Sequence, residues 1–186
     1  MVRAFLLIFC IYYVEVICVF QKINPREIDG NVFQRIGDQW MLITAGDKTA
    51  CNTMTASWGG LGVLWYEPVA TAYVRPQRYT KEFMDREKYF SLSFYGEEHR
   101  KALGLCGSKS GRDIDKVKEC GFTVEYGLGD TPYFAEAELV LICEKLYADE
   151  FKSEKFVDAA VNEKCYPEKD WHTFYIGKIV EVLKKA

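Results

Sequence analysis

Three short runs of β-branched and aromatic residues, WMLITAG (40–46), VATAYV (69–74) and YFSLSFY (89–95), are each closed off by Gly, Pro or charged clusters. Such side chains suit a pleated, half-buried surface, so each run predicts a strand. Two longer runs, AEAELVLICEKLYADEF (135–151) and TFYIGKIVEVLKK (173–185), alternate in part and predict the long strands late in the chain. Asp47 and Lys48 before Thr49 predict a tight turn that joins strand 40–46 to strand 50–56 as an antiparallel pair. Helical spacing is rarer. YTKEFMDREK (79–88) carries it after Pro76, EEHRKALGLCG (97–107) ends on glycine, and RDIDKVKECG (112–121) begins at an Asp113 cap and ends on Gly121. Many strands, few helices and hairpin-length connections predict a mainly β chain, an antiparallel barrel with a few peripheral α-helices.

With 186 residues, 49% hydrophobic and 27% charged, the chain has enough apolar surface for one ordinary core. No repeat, low-complexity tract or Pro/Ser-rich linker follows residue 21, so residues 22–186 read as one domain. Aromatics reach 15%, more than a minimal core needs; they can line a ligand site or pack the strands. A net charge of -3 and a pI near 5.5 leave no basic stripe for nucleic acid. Seven cysteines, with His99 and His172 as the only histidines, form no CxxC pair and no cluster at zinc spacing, so no metal site is read. Reduced, mostly structural thiols suit a cytoplasmic protein. Residues 1–21 form an apolar extension with one early arginine, which raises a signal peptide or an anchor. Glu15 interrupts the run, no small-x-small cleavage site follows, and β-branched and aromatic residues dominate, all of which argue against both. An extra strand or a start codon assigned too far upstream are the alternatives.

Three polar loops carry the functional signal. In NTMTASWGG (52–60), period two puts Thr53, Thr55 and Ser57 on one face and Asn52, Met54 and Ala56 on the other. A row of hydroxyls results, beside an indole wall at Trp58 and two glycines that permit close backbone approach; a solvated edge strand is the competing reading. In VRPQRYTKEF (74–83), Arg75 and Arg78 bring two guanidinium groups beside Thr80 at a helix start, the parts of a phosphate site, or else a pair of surface arginines. CGSKSGRD (106–113) clusters glycines, serines, Lys109 and Arg112 and is weak alone. GxxxxGK[ST] is absent and no GxGxxG follows a strand, so neither a P-loop nor a Rossmann site is read.

The order NTMTASW, VRPQRYT, CGSKSGRD and HTFYIGKIVEV resembles the flavin reductase-like family of FMN-binding split barrels, which includes flavoredoxins, over about residues 22–186. The resemblance implies a Greek-key split β-barrel that forms a homodimer and binds FMN near the subunit interface. It implies that Asn52, Thr55, Ser57 and Trp58 surround the isoalloxazine ring and ribityl chain. Arg75, Arg78, Tyr79 and Thr80 then form the phosphate side, and Cys106, Ser108, Ser110 and Arg112 a second flavin-contacting loop. The implied activity is hydride transfer from NADH or NADPH to flavin and onward electron transfer, possible acceptors including a redox protein. His172 is a candidate near flavin or nicotinamide, or a structural histidine. Two alternatives stay open: an FMN-binding electron-transfer module that does not oxidise NAD(P)H, and a barrel holding a pyridoxal phosphate-type anion. FMN joins an apolar ring, a polyol and a phosphate dianion, and the three loops between them offer a wall, hydroxyls and cations.

Overall fold

Alternation along the strands sorts their side chains onto two faces, and the computed structural model, which describes residues 20–186, has a core on each face. The strands are β1 (Phe20–Lys22), β2 (Met41–Gly46), β3 (Cys51–Ala56), β4 (Gly59–Leu64), β5 (Glu67–Val74), β6 (Tyr89–Phe94), β7 (Val124–Tyr126), β8 (Pro132–Phe134), β9 (Leu139–Glu150) and β10 (Thr173–Lys185). The helices are α1 (Thr80–Arg86), α2 (Arg100–Ser108), α3 (Lys116–Cys120) and α4 (Ala159–Cys165). Met41 and Ile43 of β2 join Leu139, Leu141 and Cys143 of β9 in the larger core. Leu42 of β2 joins Val140 and Ile142 in the second core, with Leu103 and Cys106 of α2 and with Phe122 and Phe134. A one-residue slip in either strand would exchange the two sets, so the register is strongly fixed.

Strand pairing follows the order β3-β2-β6-β9-β10-β5-β4, every pair antiparallel, with β1 added on β10 and β7 and β8 as a separate pair. The hairpin read at Asp47 is present. Asp47 Oδ1 accepts from the Thr49 and Ala50 amides at 2.8 and 3.1 Å, and Leu42 pairs with Thr55 across the ladder. The late strands also form, as the longest in the sheet, at 12 and 13 residues. Phe20 and Gln21, read as the end of the extension, pair with Lys185 and Lys184; the rest of the extension lies outside the described residues. Among the described residues no helix is long and apolar enough to cross a membrane.

Several local readings need correction. Asp115, not Asp113, caps α3, its carboxylate accepting from the Lys118 amide, while Gly121 closes the helix at φ 66°, a conformation glycine adopts without strain. The helix read at 97–107 begins as a single 3-10 turn at Glu97–His99 and runs on to Ser108, so Gly107 lies inside it. Gly59 and Gly60 open a strand that the sequence did not announce, β4, paired with Ala72 and Thr71 of β5. A Cβ on Gly59 would come within 2.8 Å of the Met41 side chain, so packing explains its small size.

Candidate functional site

Strand β3 and the loop leading into α1 contribute to two hollows, Thr53 and Tyr79 to one and Thr55 and Arg78 to the other. The smaller hollow, about 260 Å³, is lined by Thr55, Ser57, Trp58, Arg75, Arg78 and His172. The larger, about 660 Å³, takes Asn52, Tyr79, Arg112 and Lys116 among its walls. The structure therefore brings together most side chains singled out in the sequence, divided between two adjoining spaces. Thr80 and Cys106 are buried in the protein behind them. Ser108 bonds back to the Gly104 carbonyl at 2.9 Å, and Ser110 accepts from the Arg112 amide at 3.2 Å, so both shape the loop after α2.

The hydroxyl row is real in direction but mostly engaged. Thr53 meets the Thr44 hydroxyl at 2.8 Å, and Thr55 donates to the Leu103 carbonyl, which leaves Ser57 exposed. Asn52 faces the other way and bonds the Thr80 hydroxyl at 2.7 Å. With its amide turned so that oxygen faces α1, Asn52 also accepts from the Thr80 amide at 3.2 Å. The next amides, Lys81 and Glu82, donate to the Arg78 and Tyr79 carbonyls at 2.9 and 3.2 Å. The start of α1 is thus satisfied from within, so the helix start read as part of a phosphate site offers no free amide at Thr80, Lys81 or Glu82.

Cations differ in what neutralises them. Arg75 pairs with Asp170, donates to the Cys165 carbonyl at 3.0 Å and lies over the Tyr166 ring. Arg112 pairs with Glu82 and stacks on Tyr79 with its guanidinium carbon 4.6 Å from the ring centre. Arg78 instead donates to the Gly107 and Cys106 carbonyls at 2.6 and 3.1 Å. Lys116, 5% exposed, donates to the Thr53 and Cys106 carbonyls at 2.8 and 2.9 Å. Two cations therefore share one carbonyl oxygen, and among the described residues no carboxylate is bonded to either. Burial, and then the Arg78 charge, pull the Lys116 amine down to about 8. Sequence reading passed over Lys116 because a lysine in the helical run DKVKEC looks like any solvated helix residue. Its one visible signal is its position at the first turn of a capped helix, where a lysine is unfavourable to the helix dipole.

Trp58 is 45% exposed, and its ring centre lies 5.1 Å from that of His172. It also borders a third, mostly apolar hollow with Phe33 and Leu61. His172 is buried, with Nδ1 2.9 Å from the Tyr166 hydroxyl. Burial first, and the positive charge of Arg75 next, pull its imidazole down to about 4. The imidazole is therefore neutral at physiological pH.

This chain belongs to the flavin reductase like domain family, whose family model matches residues 33–185. Among solved structures it resembles flavoredoxin from Methanosarcina acetivorans, with 23% identity, a TM-score of 0.64, and 86% of this chain and 75% of that one covered. An FMN-binding domain of a flavin reductases-like enzyme from Shewanella baltica gives 16% identity and a TM-score of 0.65 over 90% of this chain and 78% of that one. An FMN-binding protein from Thermus thermophilus with bound 1-cyclohex-2-enone gives 19% and 0.62, over 83% and 75%. No curated protein matches the chain in sequence. At these identities the likeness shows the fold, an antiparallel split β-barrel with a few helices.

Proposed function

We propose that the chain is an FMN-binding oxidoreductase that takes hydride from NADH or NADPH and passes electrons to an acceptor such as a redox protein. The observation that carries this reading is the pair Arg78 and Lys116, two cations on one carbonyl without a carboxylate partner among the described residues. An anion beside them relieves their mutual repulsion, which makes a phosphate a fitting occupant. Around them the donor set suits the rest of FMN: Ser57 offers a free hydroxyl for the polyol, and Trp58 offers an exposed indole face for the ring. Membership of the flavin reductase like domain family supports the same cofactor.

FMN, when bound, would supply the redox chemistry, that of a hydride acceptor. The chain's own residues bind and orient. Arg78 would hold the phosphate from the hollow it shares with Ser57 and Trp58, with the Lys116 charge behind the Cys106 carbonyl that both cations bond, while Arg75, already neutralised by Asp170, keeps the strand end and the 152–171 segment together. With an imidazole held at about 4, His172 is no proton donor near neutral pH. The Tyr166 hydroxyl occupies its Nδ1, and Nε2 is left as the ring nitrogen for a ligand. The protein works as a cytoplasmic homodimer. Support for the dimer comes from the exposed edge of β4, where Val63, Leu64, Trp65 and Tyr66 form an apolar hairpin tip.

Purified protein mixed with FMN and NADH or NADPH, followed at the nicotinamide absorbance band, tests the activity. Protein-dependent loss of that band is expected. A protein that binds FMN and leaves the band unchanged would be an electron-transfer module instead. A visible spectrum of a pyridoxal phosphate-type chromophore would remove flavin from the site.

A further inference from the structure

Cys106 and Cys120 lie with their sulfurs 3.6 Å apart, and no other pair of thiols is bonded together among the described residues. Cys106 sits on the buried face of α2, packed with Leu103 and Phe134; Cys120 is the last residue of α3 and is half-buried. A disulfide needs a sulfur separation of about 2.05 Å, so the two must approach by about 1.5 Å. The five-residue α3 is the element that can yield, since α2 is fixed in the second core. The dithiol is also tied to the cation pair. Lys116 opens the helix that Cys120 closes, and both Lys116 and Arg78 donate to the carbonyl of Cys106 itself.

We propose that Cys106 and Cys120 form a redox-active dithiol that a small-molecule disulfide oxidises to an intramolecular disulfide, and that closing this bond loosens the neighbouring anion site. Cys120, the more accessible thiol, attacks one sulfur of oxidised glutathione as its thiolate and expels one glutathione thiolate. The Cys106 thiolate then attacks Cys120 Sγ of the mixed disulfide and expels the second glutathione thiolate. The two protons lost by the protein thiols go to the two glutathione thiolates, and two electrons pass from protein to oxidant. Burial pushes the Cys106 thiol up to about 12 and raises that of Cys120 as well, so the exchange is slow at neutral pH and quickens as pH rises. Drawing α3 toward α2 displaces Lys116 relative to the carbonyl it shares with Arg78. The effect on the anion site rests on the FMN reading above; the dithiol does not.

The test treats the full chain with oxidised glutathione at about pH 9, where thiolate is more abundant, and maps its peptides without reduction. A peptide pair joined through Cys106 and Cys120, lighter by two hydrogens and separated again by dithiothreitol, is expected. A stable glutathione adduct on Cys120 with Cys106 free would overturn the proposal. Cys120→Ser should give no cross-link at Cys106, and Cys106→Ser should trap the adduct on Cys120; the first change is at a half-buried position and keeps the test usable if the second does not fold. Oxidised and reduced protein are then titrated with FMN. The oxidised form should bind about fivefold or more weakly, with Cys120→Ser insensitive to the oxidant. Equal affinities would overturn the coupling. If neither form binds FMN while the cross-link forms, the cofactor reading fails and the dithiol stands.

Discussion

His172 shows how one residue's surroundings set its chemistry. Its imidazole is held at about 4 against an ordinary value of 6.5, so the unfolded chain binds more protons between those values. The stability carried by the neutral ring is therefore present above about pH 6.5 and is lost as pH falls toward 4. Relative to His172→Gln, wild-type protein should lose up to about 3 kcal/mol over that window in urea unfolding; parallel pH curves would place the imidazole in water. Lys116 gives the opposite kind of test. Because its amine is pulled to about 8, FMN affinity should fall as pH rises through that value, and Lys116→Met should flatten the slope. The groups facing it are Arg78 and the thiols of Cys106 and Cys120, and burial raises both thiols, so neither ionises ahead of the amine. Trp58, 45% exposed, should cost less on truncation than the roughly 3–5 kcal/mol of a buried aromatic. Trp58→Ala should therefore change the flavin spectrum or affinity while leaving chemical denaturation nearly unmoved; the reverse pattern would make Trp58 a packing residue.

At the scale of elements, α3 is where local structure reaches the site. Its cap is Asp115, whose carboxylate accepts from the Lys118 amide at 3.1 Å. Asp115→Ala should cost about 0.5–2 kcal/mol and loosen Lys116, whereas Asp113→Ala should change stability little; thermal unfolding of the two variants separates them. The sequence made the strands legible because alternation and β-branching are local properties, and β2, β5, β6, β9 and β10 fall where those patterns lie. Strand β4, GGLGVL, escaped because glycine carries no strand signal, and its turn uses Trp65 and Tyr66 at φ 53° and 65°, residues that do not announce left-handed backbone. Helix α4 escaped too. It is held by Asp158 and by the Trp171 indole donating to Asn162 at 2.8 Å, a contact set only by the return of the chain toward β10. The candidate site was legible as three polar loops. What could not be read was which cation meets which carboxylate, since Asp170 lies 95 residues from Arg75 and Glu82 30 from Arg112.

Over the whole molecule, the barrel leaves one apolar edge without cover from the described residues: Val63 is 64% exposed and Tyr66 97%. An exposed apolar edge strand invites pairing with another chain, and a second copy is the occupant expected here. Light scattering at micromolar concentration should give a dimer, and Val63→Glu should shift it toward monomer. A chain beginning at Phe20 keeps the β1 pairing with β10 and should fold and bind FMN as the full chain does; its insolubility would assign residues 1–19 to the fold. Calorimetric titration with FMN and with riboflavin, on wild type and on Arg78→Ala with Lys116→Ala, tests the cation pair directly as the phosphate site. Wild type should prefer FMN, and the double variant should lose affinity for FMN by about a hundredfold while its riboflavin affinity stays within about threefold, as expected from the loss of two charge-assisted bonds to one anion. An equal loss for both flavins, or an FMN affinity left unchanged, would contradict the assignment of the phosphate to Arg78 and Lys116.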